Sequence, residues 1–164
     1  MSLFVLEAAE DDDLDAILQI ERRSFTHPWT LRGFKAAMAD PARGRLVVLR
    51  RHGAEPGIVA YAAYEVTLDE LHLHTLAVSP TARRLGLGRR LLEAVLDLGI
   101  RRGAVSALLE VRQSNWPALA LYRSSGFETL YVRRDYYEHP REDALVLRKT
   151  DLRSGRGAAG GSSA

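Results

Sequence analysis

Apolar residues recur at helical spacing near the start of the chain. Apolar positions from Leu14 to Leu18 predict a helix over Asp11–Ser24, and its acidic first turn favours a helix start because negative charge is stabilised there. Thr30 is of the residue type that caps helices, so we expect a second helix from Thr30 to about Ala39. Two helices therefore lie between the first and second predicted strands.

Short runs rich in apolar and β-branched residues, bounded by turn residues, predict the strands. These runs are Leu3–Ala8, Arg45–Arg51, Gly57–Val66, Leu71–Val78, Val105–Val111, Glu128–Glu138 and Ala144–Lys149. The turn residues between the second and third runs predict a hairpin there.

One long amphipathic helix and one short helix follow the central strands. Leu87, Leu91, Val95 and Leu98 form a single apolar stripe, and Asn115–Ser125 reads as the short helix. The long helix joins two strands as a crossover, which should be right-handed and parallel. The pattern thus predicts an α/β fold, with a mostly antiparallel central sheet of about seven strands flanked by four helices.

Composition limits the class of protein. A length of 164 residues and an apolar fraction of 46% fit one domain, which we place at residues 1–150, with residues 151–164 as a disordered Gly- and Ser-rich tail. A net charge of +2 does not indicate nucleic-acid binding. The chain has no cysteine, which excludes disulfides, thiolate zinc sites and a cysteine nucleophile. No signal peptide or membrane span is evident, so we expect a cytoplasmic protein.

The turn Arg83–Gly88, directly before the long helix, is the first candidate binding site. Gly86 and Gly88 allow close approach of the backbone to a ligand, and the first amides of a helix attract anions. A pyrophosphate fits such a site, although a tight turn with solvated arginines would give the same pattern. A dinucleotide-binding fold is disfavoured because no GxGxxG is present.

The motif Arg83-x-x-Gly86-x-Gly88 resembles the acetyl-CoA pyrophosphate motif of the GNAT N-acetyltransferase superfamily. The segments 109–115, 120–127, 134–137 and 142–144, together with His27-Pro28-Trp29, resemble its ribosomal-protein-alanine N-acetyltransferase (RimI) branch. The resemblance runs from about Glu7 to Lys149.

The resemblance implies a set of acetyl-CoA contacts. The backbone of one strand end should pair with the pantetheine arm, the glycine turn should hold the pyrophosphate, and an asparagine should meet the cofactor from the other side. The residues implied are Leu76, Ala77, Val78, Arg83, Arg84, Leu85, Gly86, Leu87, Gly88, Arg89 and Asn115.

Two residues are the candidates for catalysis. Glu110, at the end of a strand, corresponds to the general base of the family; an ion pair with Arg112 on the same strand face is the alternative. Tyr122 corresponds to the acid that protonates the leaving thiolate; it lies two helical turns after Asn115, and a plain core aromatic is the alternative. Transfer should be direct, since no cysteine can carry an acyl group.

Three aromatic residues and two histidines complete the candidates. In this family Trp29, Tyr136 and Tyr137 would border the groove for an acceptor peptide, and packing over the edge of the core is the alternative. His72 and His74 share one face of a strand, but no third ligand is evident, so we expect no metal site. The alternative to a purely structural role for the two histidines is an effect on the acceptor side.

The resemblance implies an Nα-acetyltransferase acting on the N-terminus of a small-subunit ribosomal protein. Making a lysine neutral at pH 7 costs roughly 3 kcal/mol more than making an α-amine neutral, which favours an N-terminal acceptor. Lysine side chains or small amines as acceptors, and a non-catalytic acetyl-CoA-binding module, are the alternatives. We expect a monomer or weak dimer that binds neither nucleic acid nor membranes.

Overall fold

The computed structural model describes residues 2–154, which form seven strands and four α-helices in the predicted order. The strands are β1 (Phe4–Ala8), β2 (Gly44–Arg51), β3 (Gly57–Thr67), β4 (Glu70–Val78), β5 (Ser106–Arg112), β6 (Glu128–Glu138) and β7 (Arg141–Lys149). The helices are α1 (Leu14–Ser24), α2 (Leu31–Ala39), α3 (Leu87–Arg101) and α4 (Trp116–Ser124). Within residues 2–154, no helix is long and apolar enough to cross a membrane.

All seven strands belong to one sheet, in the order β1-β2-β3-β4-β5-β7-β6. The neighbours are antiparallel except β4 and β5, which are parallel and are joined through α3. This topology confirms the predicted α/β class with its mostly antiparallel sheet and single parallel crossover.

The sheet has a hydrophobic core on each face. One core packs α3 against the strands through Leu91, Leu92 and Val95. Gly99 lets α3 lie close to β4, because a Cβ at that position would overlap the Leu71 side chain. The apolar stripe that predicted α3 is thus the surface that anchors it to the crossover strands.

The second core packs α1 and α2 against the opposite face of the sheet. Phe34 of α2 is fully buried there, edge-on to Tyr61 at 5.6 Å between ring centroids. Burying such a ring stabilises by about 1.5–3 kcal/mol, more than the ~1 kcal/mol that Gly33 costs within the helix. Thr30 caps the helix as predicted, accepting a hydrogen bond of 3.2 Å from the amide of Gly33.

The first predicted helix is divided into a 3₁₀ turn at Asp11–Asp13 and α1 proper. Asp13 accepts a hydrogen bond of 2.9 Å from the amide of Glu10. It also forms an ion pair of 2.9 Å with Arg50 on β2. These contacts tie the start of the helical segment to the sheet, which periodicity alone does not reveal.

The chain remains packed beyond residue 150, where we placed the domain boundary. Leu152 is buried, and its amide donates a hydrogen bond of 3.0 Å to the carbonyl of Val105. The rest of the predicted tail, residues 155–164, lies outside the described residues.

Strands β4 and β5 pair over a short stretch and then separate. Their register runs from Glu70 opposite Ser106 to Leu73 opposite Leu109. Both strands continue past this point, and a cavity opens between their carboxyl ends. The divergence gives one edge of β4 room for a ligand backbone.

A β-bulge at His74 accompanies this divergence. The register of β4 against β3 shifts between Leu73 and Thr75, which leaves His74 as the extra residue. Since a bulge shifts the alternation of side chains, Leu73 packs in the α3 core whereas Ala77 packs in the α1–α2 core.

Candidate active site

The main cavity, of about 400 Å³, lies between the separated ends of β4 and β5 and beneath the loop that joins α1 to α2. Besides His74, it brings together six of the residues predicted to act in binding or catalysis. These are Trp29, Leu76, Glu110, Asn115, Tyr122 and Tyr137.

A second cavity, of about 340 Å³, lies at the start of α3. Val78 and the glycine turn line it, specifically Arg83, Arg84, Gly86, Leu87, Gly88 and Arg89. Among the predicted cofactor residues, Leu85 lies outside this lining and is exposed, and the Ala77 side chain is buried on the other face of the sheet. Both were proposed to act through their backbones.

The backbone of the turn is bent so that α3 begins abruptly. Arg84 and Gly86 have positive φ angles of 66° and 71°, a conformation that costs little only for glycine. In the described part of the chain, the amides of residues 84–89 donate to none of the carbonyls of the surrounding loops. These amides and the three arginines together suit an anion.

Glu110 lines the main cavity, and its side chain is 21% exposed. Its Oε1 lies 3.4 Å from Nη1 of Arg133, and its Oε2 lies 3.9 Å from Nε2 of His72. The alternative pairing with Arg112 is wrong, because Arg112 pairs with Glu142 at 3.3 Å. Glu110 is therefore positioned by β6 and β4 and faces the cavity.

Tyr122 of α4 is buried at the cavity wall, with its ring edge-on to Phe127 at 5.8 Å. Burial raises the pKa of its phenol well above the ordinary value, and the neighbouring Tyr137 raises it further. The hydroxyl therefore stays protonated and can serve as a proton donor. Asn115 caps the same helix by accepting a hydrogen bond of 3.2 Å from the amide of Ala118.

The two tyrosines of β6 have different surroundings. Tyr137 lines the cavity beneath Arg112, whose guanidinium carbon lies 4.1 Å from its ring centre, and burial raises its pKa to about 12. Tyr136 lies outside the lining; it is exposed, and Arg133 lies over its ring at 4.4 Å. The register of β6 against β7 is irregular between Arg133 and Tyr137, and the rings of the two tyrosines lie 5.0 Å apart.

Glu21, a buried carboxyl group at the base of the main cavity, was not identified from the sequence. The amide of Trp29 donates to Oε1 at 2.9 Å, the Tyr61 hydroxyl donates to Oε2, and the Thr75 hydroxyl lies 3.5 Å away. Burial raises the pKa of Glu21 to about 7, although the bonds from Trp29 and Thr75 oppose the rise. The sequence did indicate its burial, because Glu21 follows Ile17 by four residues and therefore lies on the apolar face of the helix.

His72 and His74 lie on one face, as predicted, with ring centroids 4.5 Å apart. Burial lowers the pKa of His74, and the neighbouring His72 lowers it further. Glu65 lies directly opposite His72 on β3 and was not identified from the sequence, although the two-residue turn between β3 and β4 sets that register.

The chain matches the model of the acetyltransferase (GNAT) family over residues 14–127, which include most of both cavities. The chain belongs to the GNAT family. It is 38% identical over 144 residues to the [ribosomal protein bS18]-alanine N-acetyltransferase of Escherichia coli K12, a match covering 87% of this chain and 94% of that protein. It is 36% identical over 140 residues to the N-alpha-acetyltransferase RimI of Mycobacterium tuberculosis H37Rv, covering 84% and 86%.

Structural similarity agrees with these matches. The crystal structure of the Escherichia coli ribosomal-protein-S18-alanine N-acetyltransferase superposes with a TM-score of 0.80 at 37% identity, over 90% of this chain and 94% of that one. The predictions of a GNAT fold, of the RimI branch and of an N-acetyltransferase are confirmed.

Proposed function

We propose that this GNAT protein transfers an acetyl group from acetyl-CoA to the N-terminal amine of ribosomal protein bS18 in the cytoplasm. The observation that carries the proposal is the 38% identity to the Escherichia coli bS18-alanine acetyltransferase over 94% of that protein. A monomer or weak dimer that binds neither nucleic acid nor membranes remains part of this proposal.

The shape of the two cavities supports acetyl-CoA as the acetyl donor. Val78 lines the cavity at the glycine turn, and Leu76 on the same strand lines the main cavity, so the edge of β4 connects them. A Cβ at Gly88 would stand 3.5 Å from Leu121 and 3.7 Å from Val78. A larger residue at this position would therefore occupy the cavity at the glycine turn. The amides of the turn would hold the pyrophosphate, and the β4 backbone would hold the pantetheine arm.

The proton transfers fall to two residues that line the main cavity. Glu110 would take the proton that the protonated acceptor amine must lose before its nitrogen can attack, either directly or through one water. Tyr122 would give its proton to the sulfur as the carbon–sulfur bond breaks. A backbone amide near Val78 would polarise the carbonyl. The proton that the nitrogen loses as the new carbon–nitrogen bond forms would replace the one that Tyr122 donates, so atoms and charges balance without an acyl-enzyme, in agreement with the absence of cysteine.

The acceptor end of the cavity supports a peptide N-terminus. Trp29 on the α1–α2 loop and Tyr137 on β6 line it from two sides. An α-amine is neutral more readily than a lysine side chain by roughly 3 kcal/mol at pH 7, which favours an N-terminal acceptor. The N-terminal amine is therefore the acceptor that this site serves best.

Two peptides test the proposal, one with the free N-terminus of bS18 and one with that N-terminus blocked and an internal lysine. Each is incubated with the protein and acetyl-CoA, and acetylation is followed by mass spectrometry. Turnover of the first peptide alone supports the proposal. Turnover mainly of the second would replace it with lysine acetylation, and binding of acetyl-CoA without turnover of either would indicate a binding module.

A further inference from the structure

A cluster of two imidazoles and one carboxylate lies beside the main cavity, and His74 is its member in the cavity lining. Glu65 and His72 are a directly opposed pair on the antiparallel strands β3 and β4. His74 follows two residues later on the same face, at the β-bulge. Directly opposed cross-strand side chains lie about 5 Å apart at their Cβ atoms, so the sheet itself brings the cluster together.

The ligand atoms of the cluster are close to the separation that a metal ion requires. Nε2 of His74 lies 3.7 Å from Oε1 of Glu65, and one ligand atom from each of the three residues lies within 4.8 Å of the others. Tetrahedral zinc with bonds of about 2.0–2.1 Å keeps its ligand atoms about 3.4 Å apart. Side-chain rotation alone can close a gap of this size.

We propose that Glu65, His72 and His74 bind a divalent transition-metal ion of the zinc type. Two neutral imidazole nitrogens and one carboxylate oxygen form a donor set that favours zinc, cobalt or copper over magnesium and calcium, which prefer oxygen ligands alone. The side chains are 27–30% exposed, so an ion can enter from solvent. Glu65 supplies the third ligand that the sequence did not reveal.

The ion would act as an inhibitor, and this consequence rests on the proposed function. Oε2 of Glu110 lies 3.9 Å from Nε2 of His72, so the catalytic carboxylate lies beside one of the proposed metal ligands. An ion that takes Glu110 as its fourth ligand removes the base and occupies the place of the acceptor amine. Inhibition should therefore compete with the acceptor peptide and not with acetyl-CoA.

Binding is tested first, on the full-length chain without an affinity tag and freed of metal by a chelator. Zinc is titrated by calorimetry, and cobalt is titrated for the visible absorption of a tetrahedral site. We expect one ion per chain, with affinity falling roughly tenfold or more in Glu65→Gln and in His74→Gln, because each loses one of three ligands. His52→Gln and Glu55→Gln, which alter the same residue types outside the cluster, should bind zinc as the parent does.

The proposal is overturned if the parent binds no zinc, or if Glu65→Gln and His74→Gln, shown to be folded by circular dichroism, bind it as tightly as the parent. Binding is read independently of activity, so failure of the proposed function would leave this result intact. Inhibition is then followed by the mass of the acetylated peptide, because zinc also binds the released thiol. Glu65→Gln should keep the parent's activity and lose sensitivity to zinc; equal inhibition of both would overturn the inhibitory role.

Discussion

The amide of Trp29 donates a hydrogen bond of 2.9 Å to the buried carboxyl group of Glu21. This bond ties the loop after α1 to a residue within the helix, and Trp29 in turn lines the main cavity. The loop that borders the proposed acceptor site is thus anchored by the buried carboxyl group of Glu21.

Replacing Glu21 by glutamine should change how stability depends on pH. Burial raises the pKa of Glu21 from 4.5 to about 7, so between these values the folded state binds more protons than the unfolded state. The free energy of unfolding therefore falls as pH rises through this window, by on the order of 3 kcal/mol in total. Glutamine does not ionise, so Glu21→Gln removes this pH-dependent loss of stability. Its side-chain oxygen can still accept the hydrogen bond from the Trp29 amide.

Urea unfolding between about pH 4.5 and about pH 8 measures the effect. The stability of Glu21→Gln relative to the parent should increase with pH, whereas Glu128→Gln, an exposed substitution on β6, should follow the parent curve. Parallel curves for the parent and Glu21→Gln would contradict the assignment of a raised pKa.

Replacing Tyr122 by phenylalanine should slow turnover while leaving the fold intact. The ring still packs against Phe127, but the proton donor for the leaving thiolate is lost. We expect kcat to fall by roughly 10²-fold, with acetyl-CoA affinity nearly unchanged. Steady-state kinetics and calorimetry measure the two quantities, and Tyr131→Phe on the exposed face of β6 is the control. A kcat equal to that of the parent would exclude Tyr122 as the acid.

Replacing Glu110 by glutamine should lower the rate most at acidic pH. An α-amine has a pKa of about 8, so below that value it must lose a proton before it can attack, whereas above it the neutral form is already present. A pH–rate profile of Glu110→Gln should therefore approach that of the parent as pH rises, with acetyl-CoA binding preserved. A deficit that is the same at every pH would argue against a role as base.

Replacing Gly86 by valine should abolish tight binding of acetyl-CoA. The φ angle of 71° at Gly86 is strongly unfavourable for a β-branched residue, so the turn that presents the amides must rearrange. Gly103→Val is a matched control, because Gly103 has a φ angle of 96° at the opposite end of α3 and is far from the cavity lining. Both variants should lose similar stability, but only Gly86→Val should lose acetyl-CoA affinity. If Gly86→Val and Gly103→Val bind acetyl-CoA equally tightly, the pyrophosphate assignment is refuted.

Local patterns were sufficient to predict the helices and strands and their order along the chain. Every predicted helix and strand is present, because apolar periodicity and helix caps such as Thr30 act over a few residues. The turn at Gly86 could also be predicted, because Gly86 adopts the left-handed conformation that glycine permits.

Relationships that depend on register or on distant partners were not predictable from these patterns. The partner of Glu110 is Arg133 on β6 rather than Arg112, because the pairing of β5 with β7 and of β7 with β6 brings the two residues together. Glu65 joins the histidines only once the β3–β4 register is known. Glu21 was overlooked because its partners come from three separate elements.

Intact bS18 offers the most direct test of the central claim, the acetylation of a protein N-terminus. Full-length, unacetylated bS18 is incubated with the protein and acetyl-CoA, and tandem mass spectrometry locates the added acetyl group. The account predicts modification of the N-terminal residue in the presence of the parent, and its loss or strong reduction with Glu110→Gln and with Tyr122→Phe. Acetyl groups found on lysine side chains, with the N-terminus unmodified, would contradict it.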